Sequence, residues 1–67
     1  MDFTIICTLG DSRWEAEADN VDGAFAAARQ GFEDMMEAHP MYGVARRIVT
    51  RVLLDGQQVY ETTGRPQ

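Results

Sequence analysis

The chain has 67 residues, 45% of them hydrophobic, and its eleven acidic and six basic side chains give a net charge of −5. This length supports one hydrophobic core, so we predict a single domain over residues 1–63 and a flexible tail over residues 64–67. The negative charge argues against direct nucleic-acid binding, which requires a basic face. One cysteine and one histidine exclude an internal disulfide and a Cys/His metal cluster. We therefore expect no metal and no cofactor.

Neither a membrane span nor a signal peptide is indicated by the sequence. No apolar run approaches the roughly 18–20 residues that a bilayer requires. The segment Met1-Asp2-Phe3 lacks the basic region with which a signal peptide begins. We expect an intracellular protein that has no membrane partner.

Alternating apolar and polar residues predict two strands at the start of the chain. In the first strand the inward positions are Phe3, Ile5, Cys7 and Leu9. In the second strand Trp14, Ala16 and Ala18 alternate with Arg13, Glu15 and Glu17. The polar segment Gly10-Asp11-Ser12 supplies a turn between them, so the two strands form a hairpin.

A helix is predicted to follow, because the spacing of apolar residues changes from two to 3.6. One stripe of this helix contains Val21, Ala24, Phe25, Ala28, Phe32, Met35 and Met36. Asn20 is placed to cap the first turn, and His39-Pro40 marks the end of the helix. Gly31 lies beside the apolar stripe, where its missing side chain would let the sheet approach closely.

The final segment predicts a second hairpin around Asp55-Gly56, a pair that favours a two-residue type I′ turn. Its strands run from Val44 to Leu54 and from Gln57 to Thr62. The turn predicts that Leu54 lies opposite Gln57, Val52 opposite Val59 and Arg51 opposite Tyr60. The predicted core face then carries Val44, Ile48, Val52, Leu54 and Val59. The other face carries Arg47, Val49, Arg51, Leu53 and Tyr60.

These elements predict an α+β fold with the order ββαββ. The expected architecture is a four-stranded antiparallel sheet of order 2-1-3-4, with the helix packed on one face. The opposite face, which we call the outer sheet face, has a predicted apolar centre of Ile6, Val49, Leu53 and Tyr60. Such a patch indicates an interface, with a second copy or with another protein. The alternative is a self-contained face on which pairs such as Arg51–Tyr60 shield the apolar atoms.

Few residues are candidates for catalysis, and we predict that the chain is not an enzyme. Cys7 falls among inward positions, where a cysteine usually behaves as a small hydrophobe. His39 lies at a helix end and is expected to interact with the free carbonyls there. Ser12, His39 and Asp55 resemble a triad only in composition. Met35 and Met36 with Phe32 are either core residues or an adaptable binding patch, and core packing is favoured.

The negative charge is concentrated in the first half of the chain. Residues 11–37 contain eight acidic and two basic side chains, a balance of −6, whereas residues 44–67 have a balance of +2. Glu33, Asp34 and Glu37 form a run on the helix, and Glu33 and Glu37 lie one turn apart. This run is either a solvated acidic face or a surface that binds an arginine-rich partner.

A small, acidic ββαββ chain of this kind resembles the phage-encoded inhibitors of bacterial defence, above all the anti-CRISPR proteins. The resemblance covers the whole chain in size, charge and organisation, and it includes no shared motif. The residues on which the resemblance rests are the acidic Glu15, Glu17, Asp22, Glu33, Asp34 and Glu37. It implies that the chain binds a Cas protein or an effector complex in the host bacterial cytoplasm and blocks DNA binding or nuclease recruitment. The opening strands and residues 20–25 are also similar to HicB antitoxins, although the usual proline-glycine signature is missing.

We therefore predict a non-enzymatic inhibitor that binds a basic nucleic-acid-binding protein or a CRISPR effector subunit by presenting carboxylates as a DNA mimic. The predicted partner-binding residues are Glu15, Glu17, Asp22, Glu33, Asp34, Glu37, Arg47, Arg51, Leu53 and Tyr60. One alternative is an antitoxin-like homodimer that assembles through the outer sheet face. Another is an RNA- or DNA-binding module that uses Arg46, Arg47 and Arg51.

Overall fold

Four strands form one antiparallel sheet in the computed structural model, which describes residues 1–66. The strands are β1 (Phe3–Leu9), β2 (Ser12–Ala18), β3 (Val49–Leu54) and β4 (Gln57–Thr63). Their order across the sheet is β2-β1-β3-β4, which confirms the predicted topology. Gln67, the last residue of the predicted tail, lies outside the described residues.

The alternation of β1 determines which side of the sheet is buried. Phe3, Ile5, Cys7 and Leu9 are all buried, as predicted, whereas the residues between them are partly exposed. β1 is a central strand that pairs with β2 on one side and with β3 on the other. Its buried side chains therefore form the middle of the core.

The helix α1 (Val21–Ala38) covers this buried side, mainly over β1 and β2. The Oδ1 atom of Asn20 accepts a hydrogen bond from the backbone N–H of Gly23 at 2.7 Å, which confirms the predicted N-cap. Because α1 lies to one side, it leaves the inner face of β4 largely uncovered.

Two groups of buried side chains make up the core, and Trp14 packs against both of them. The first group is Cys7, Leu9, Phe32, Met35, Val44 and Ile48. The second is Phe3, Ile5, Ala24, Ala28 and Val52. Phe32 and Met35 are therefore core residues, and the core interpretation of this part of the helix stripe is confirmed.

The pairing of β3 with β4 differs from the prediction beyond the first pairs after the turn. Asp55 and Gly56 have positive φ angles of 50° and 86°, as a type I′ turn requires, and Leu54 lies opposite Gln57 as predicted. A bulge then shifts the register, so Val52 pairs with Tyr60 instead of Val59. One extra residue in a strand reverses the side on which every later side chain lies.

This shift changes the environments of Val59 and Tyr60. Val59, predicted to be in the core, is 56% exposed. Tyr60, predicted on the outer sheet face, lies on the helix side, where its ring makes an edge-to-face contact with Phe25 at 6.1 Å between centroids. The physical reason is the larger apolar area of the tyrosine ring, whose burial stabilises the fold more than burial of a valine side chain would. Arg51 consequently pairs with Glu61 instead of Tyr60.

The segment before β3 is also different from the prediction. Val44–Arg47 forms a short 3-10 helix after Gly43, whose φ angle is 77°, and the strand begins only at Val49. Val44 and Ile48 are both buried, as predicted. Arg47, predicted on the outer sheet face, instead belongs to the 3-10 helix and is exposed to solvent.

Residues 64–66, predicted as tail, contact the folded domain. The backbone N–H of Gly64 donates to the carbonyl oxygen of Ile48 at 2.9 Å. The Arg65 guanidinium lies 4.7 Å from the centroid of the Phe32 ring and forms an ion pair with Glu33. Pro66 is buried. These contacts attach the end of β4 to α1.

Candidate protein-binding surfaces

The outer sheet face consists of three rows of side chains that cross all four strands. Its apolar centre is Ile6, Val49 and Leu53, each partly exposed. The surrounding side chains from the four strands are Thr4, Thr8, Arg13, Glu15, Glu17, Arg51, Gln58, Glu61 and Thr63. Without Tyr60 this centre contains three aliphatic residues and no aromatic ring.

The charges of the outer sheet face largely neutralise each other. Arg13 forms an ion pair with Glu15 at 2.9 Å, and Arg51 forms one with Glu61 at 2.8 Å. Both pairs are solvent-exposed, so each contributes little to stability. Of the three carboxylates on this face, Glu15 and Glu61 are thus paired, and Glu17 has no ion-pair partner within residues 1–66.

The acidic run on α1 does not form one free surface. The Oδ2 atom of Asp34 accepts a hydrogen bond from the Trp14 indole at 3.0 Å, and its Oδ1 atom accepts one from the side-chain amide of Gln30 at 2.7 Å. Glu33 is paired with Arg65 at 2.8 Å. Asp34 therefore holds β2 against α1, and Glu37 is the member of the run with neither a side-chain hydrogen bond nor an ion pair within residues 1–66.

A different set of carboxylates converges at one end of the molecule. Phe3 pairs with both Ala18 and Leu54. The start of β1, the end of β2, the start of α1 and the turn between β3 and β4 are therefore all at this end. The acidic side chains at these positions, which we call the acidic end, are Asp2, Glu17, Asp19, Asp22 and Asp55. None of them takes part in an ion pair within the described residues 1–66.

The opposite end of the molecule carries most of the arginines. The two ends are separated by the length of α1, whose 18 residues span about 27 Å. The arginines at this second end, which we call the basic end, are Arg13, Arg46, Arg47 and Arg65. Asp11, Glu33, Asp34 and Glu37 are also on this side of the molecule, and Glu33 is paired with Arg65. Arg46 and Arg47 are exposed and have no ion-pair partner in residues 1–66, and the nearby Tyr42 is fully exposed. The unpaired Arg46 and Arg47 therefore lie at the end opposite the acidic end.

An apolar groove lies between α1 and the hairpin of β3 and β4. It has a volume of about 240 Å³, and its lining residues are Phe3, Val21, Ala24, Phe25, Val52, Val59 and Tyr60. Val21 and Phe25, predicted as part of the core stripe, are 49% and 38% exposed. The groove exists because α1 is too far toward β2 to cover the inner face of β4.

Cys7 is a buried thiol in the centre of β1. Its Sγ atom lies 3.5 Å from the hydroxyl oxygen of Thr50, which is also fully buried. Burial raises the pKa of the Cys7 thiol above its ordinary value of 9.0; the hydrogen bond to Thr50 opposes this shift and the nearby charge of Asp34 adds to it. The thiol is therefore protonated and shielded at neutral pH.

We expect Cys7 to react with iodoacetamide only when the protein unfolds, since the thiolate is the reactive form. The alkylation rate should be low without urea and should rise with urea concentration in parallel with the fraction of unfolded protein. Because the pKa is raised in the folded state, the unfolded chain loses its proton first. The contribution of Cys7 to the free energy of unfolding should thus be constant below pH 9.0 and fall above it. The fall in the free energy of unfolding with pH above 9.0 should be less steep in the Cys7→Ala variant. Rapid alkylation that is independent of urea would contradict this prediction.

The remaining candidates are not brought together. Ser12 lies at the start of β2 and His39 follows α1, both toward the basic end, whereas Asp55 lies in the turn at the acidic end. Among residues 1–66 there is no group of three His, Cys, Asp or Glu side chains able to hold a metal ion.

Comparison with protein-family models, with curated proteins and with solved structures gives no match for this chain. Within the described part of the chain, no helix is both long enough and apolar enough to cross a lipid bilayer.

Proposed function

We propose that this chain is a non-enzymatic inhibitor that binds a basic surface of a nucleic-acid-handling protein, in the manner of anti-CRISPR proteins. The observation that carries the proposal is the acidic end, where five acidic residues from four separate segments lie at the same end of the fold. A partner whose groove normally receives phosphates presents arginine and lysine side chains at similar spacings. Carboxylates held on a folded scaffold can form ion pairs with the same arginine and lysine side chains.

The acidic end suits this role better than the acidic run of α1. Asp34 and Glu33 are engaged with Trp14 and Arg65, so a partner would have to compete with contacts that already stabilise the fold. Glu17, Asp19 and Asp22 form no such ion pairs within residues 1–66 and remain available. Because the basic end lies on the other side of the molecule, the field at the acidic end would steer a cationic groove toward these carboxylates.

The variant that tests the proposal carries Glu17→Lys and Asp19→Lys. We expect it to bind the partner about 100-fold more weakly or worse, since reversing a charge turns two attractive contacts into repulsive ones. The matched control carries Asp11→Lys and Glu37→Lys, which changes the net charge equally but at the opposite end. The control should keep its affinity.

The partner is first captured from a bacterial lysate with tagged protein and identified by mass spectrometry. Its affinity for the wild type, the variant and the control is then measured by calorimetry at low and high salt. Duplex DNA should compete with the wild-type chain for the purified partner. Equal weakening in both double variants, or a partner that binds DNA and this chain at once, would contradict the proposed function.

A further inference from the structure

The exposed edge of the sheet at β4 is unlike the edge at β2. Within residues 1–66 β4 pairs only with β3, so the other side of its backbone is open. Its seven residues include a single charged side chain, Glu61, which is held by Arg51. The β2 edge carries Arg13, Glu15 and Glu17. Charged side chains on an edge strand oppose the addition of another strand, so β4 is the edge better suited to pairing.

The apolar groove beside β4 makes this edge still more unusual. Phe25 and Val59 expose 38% and 56% of their surface, and both line the groove together with Tyr60. Val59 and Tyr60 are at the middle of the strand, where a second, identical strand would place its own copies of these residues. An interface around a two-fold axis must be complementary to itself, which an uncharged centre satisfies.

We propose that a second copy of this chain pairs with β4 in antiparallel orientation, forming a two-fold dimer with a continuous eight-stranded sheet. Charge complementarity identifies the occupant. β4 runs from the acidic end to the basic end, so antiparallel pairing brings each acidic end beside the basic end of the other copy. Asp55 then lies toward the end of the second copy at which Arg46 and Arg47 have no ion-pair partner within residues 1–66. This surface is distinct from the outer sheet face.

The dimer leaves part of the acidic end exposed. Glu17 belongs to β2, which lies three strand spacings, about 14 Å, from β4. Asp19 follows the end of the same strand. These two carboxylates therefore stay open to a further partner, and the dimer does not depend on the proposed function.

The test is the mass of the protein in solution, measured by sedimentation over a wide concentration range. We expect the wild type to sediment as a dimer. Val59→Arg should raise the dissociation constant about 100-fold or more, because it places two arginines next to the two-fold axis. Leu53→Arg on the outer sheet face is the control and should remain dimeric. Circular dichroism checks that both variants are folded.

Amide hydrogen exchange of the wild type provides a second measurement that needs no variant. In the dimer, amides of β4 become protected as concentration rises, and those of β2 do not. A wild type that is monomeric at all concentrations overturns the proposal, as does a dimer that Leu53→Arg dissociates and Val59→Arg does not. If both variants are monomeric or unfolded, concentration-dependent protection of β4 supports the proposal and its absence overturns it.

Discussion

Phe32→Ala is expected to lower the free energy of unfolding by about 3–5 kcal/mol, the range for removal of a large buried side chain. Phe32 is completely buried and packs against Cys7, Met35 and Ile48. Its ring also lies under the guanidinium of Arg65, 4.7 Å from the ring centroid. A small domain is stabilised by only about 0.05–0.15 kcal/mol per residue, so this loss should leave much of the protein unfolded.

The matched control is Phe25→Ala on the same helix. Phe25 is 38% exposed and makes one aromatic contact, with Tyr60, so we expect a cost of about 1–2 kcal/mol. Urea unfolding followed by circular dichroism measures both variants, at one protein concentration because dimerisation adds stability. Equal costs for the two variants would contradict the placement of Phe32 in the core.

Gly31→Ala is expected to destabilise the protein by about 1–3 kcal/mol, even though alanine is the better helix former by about 1 kcal/mol. A Cβ atom at this position would lie 2.5 Å from Cε3 of Trp14 and 2.6 Å from Sγ of Cys7. Neither neighbour can move freely, because the Trp14 indole is hydrogen-bonded to Asp34 and Cys7 belongs to the central strand. The helix would therefore have to move away from the sheet.

The control for Gly31→Ala is the reciprocal change at an exposed helical position, Ala26→Gly. Ala26 faces solvent, so this change measures helix propensity alone and should cost about 1 kcal/mol. Thermal or urea unfolding of both variants separates propensity from steric conflict. A stabilised Gly31→Ala variant would show that the helix and sheet do not approach as closely as described.

The predicted and observed registers of the second hairpin show where local information ends. Asp55-Gly56 specifies the turn, and the first pair, Leu54 with Gln57, follows from it. The bulge two pairs further along does not follow from the turn. It depends on whether Val59 or Tyr60 packs more favourably beneath Phe25, a residue some 35 positions away in the chain.

The segment Val44–Ile48 was ambiguous for a related reason. Residues four positions apart lie on the same side of a strand, and in the observed structure Ile48 lies just beyond the 3-10 helix in an extended conformation. Burial of Val44 and Ile48 is therefore compatible with either structure. The left-handed conformation of Gly43 and the hydrogen bond from the Val44 N–H to the carbonyl of Met41 favour the 3-10 helix.

The candidate site could be predicted only in part. The excess of acidic residues is evident from composition, but the run Glu33, Asp34 and Glu37 is prominent because its members are adjacent in sequence. The acidic end combines Asp2, Glu17–Asp22 and Asp55, which are distant in sequence and become neighbours through strand pairing. In the sequence, the acidic end is indicated by an acidic residue in each chain segment that borders it.

The sequence by itself determined the identity and order of the main elements, the N-cap at Asn20, the buried side of β1 and the type I′ turn, because each depends on neighbours within a few positions. Only the tertiary structure decided the face of Tyr60, the internal role of Asp34 and the position of α1 over β1 and β2. The same holds for the acidic end, since strand pairing brings together residues that are far apart in the chain. These features arise from competition among distant side chains for the same buried space and the same hydrogen-bond partners.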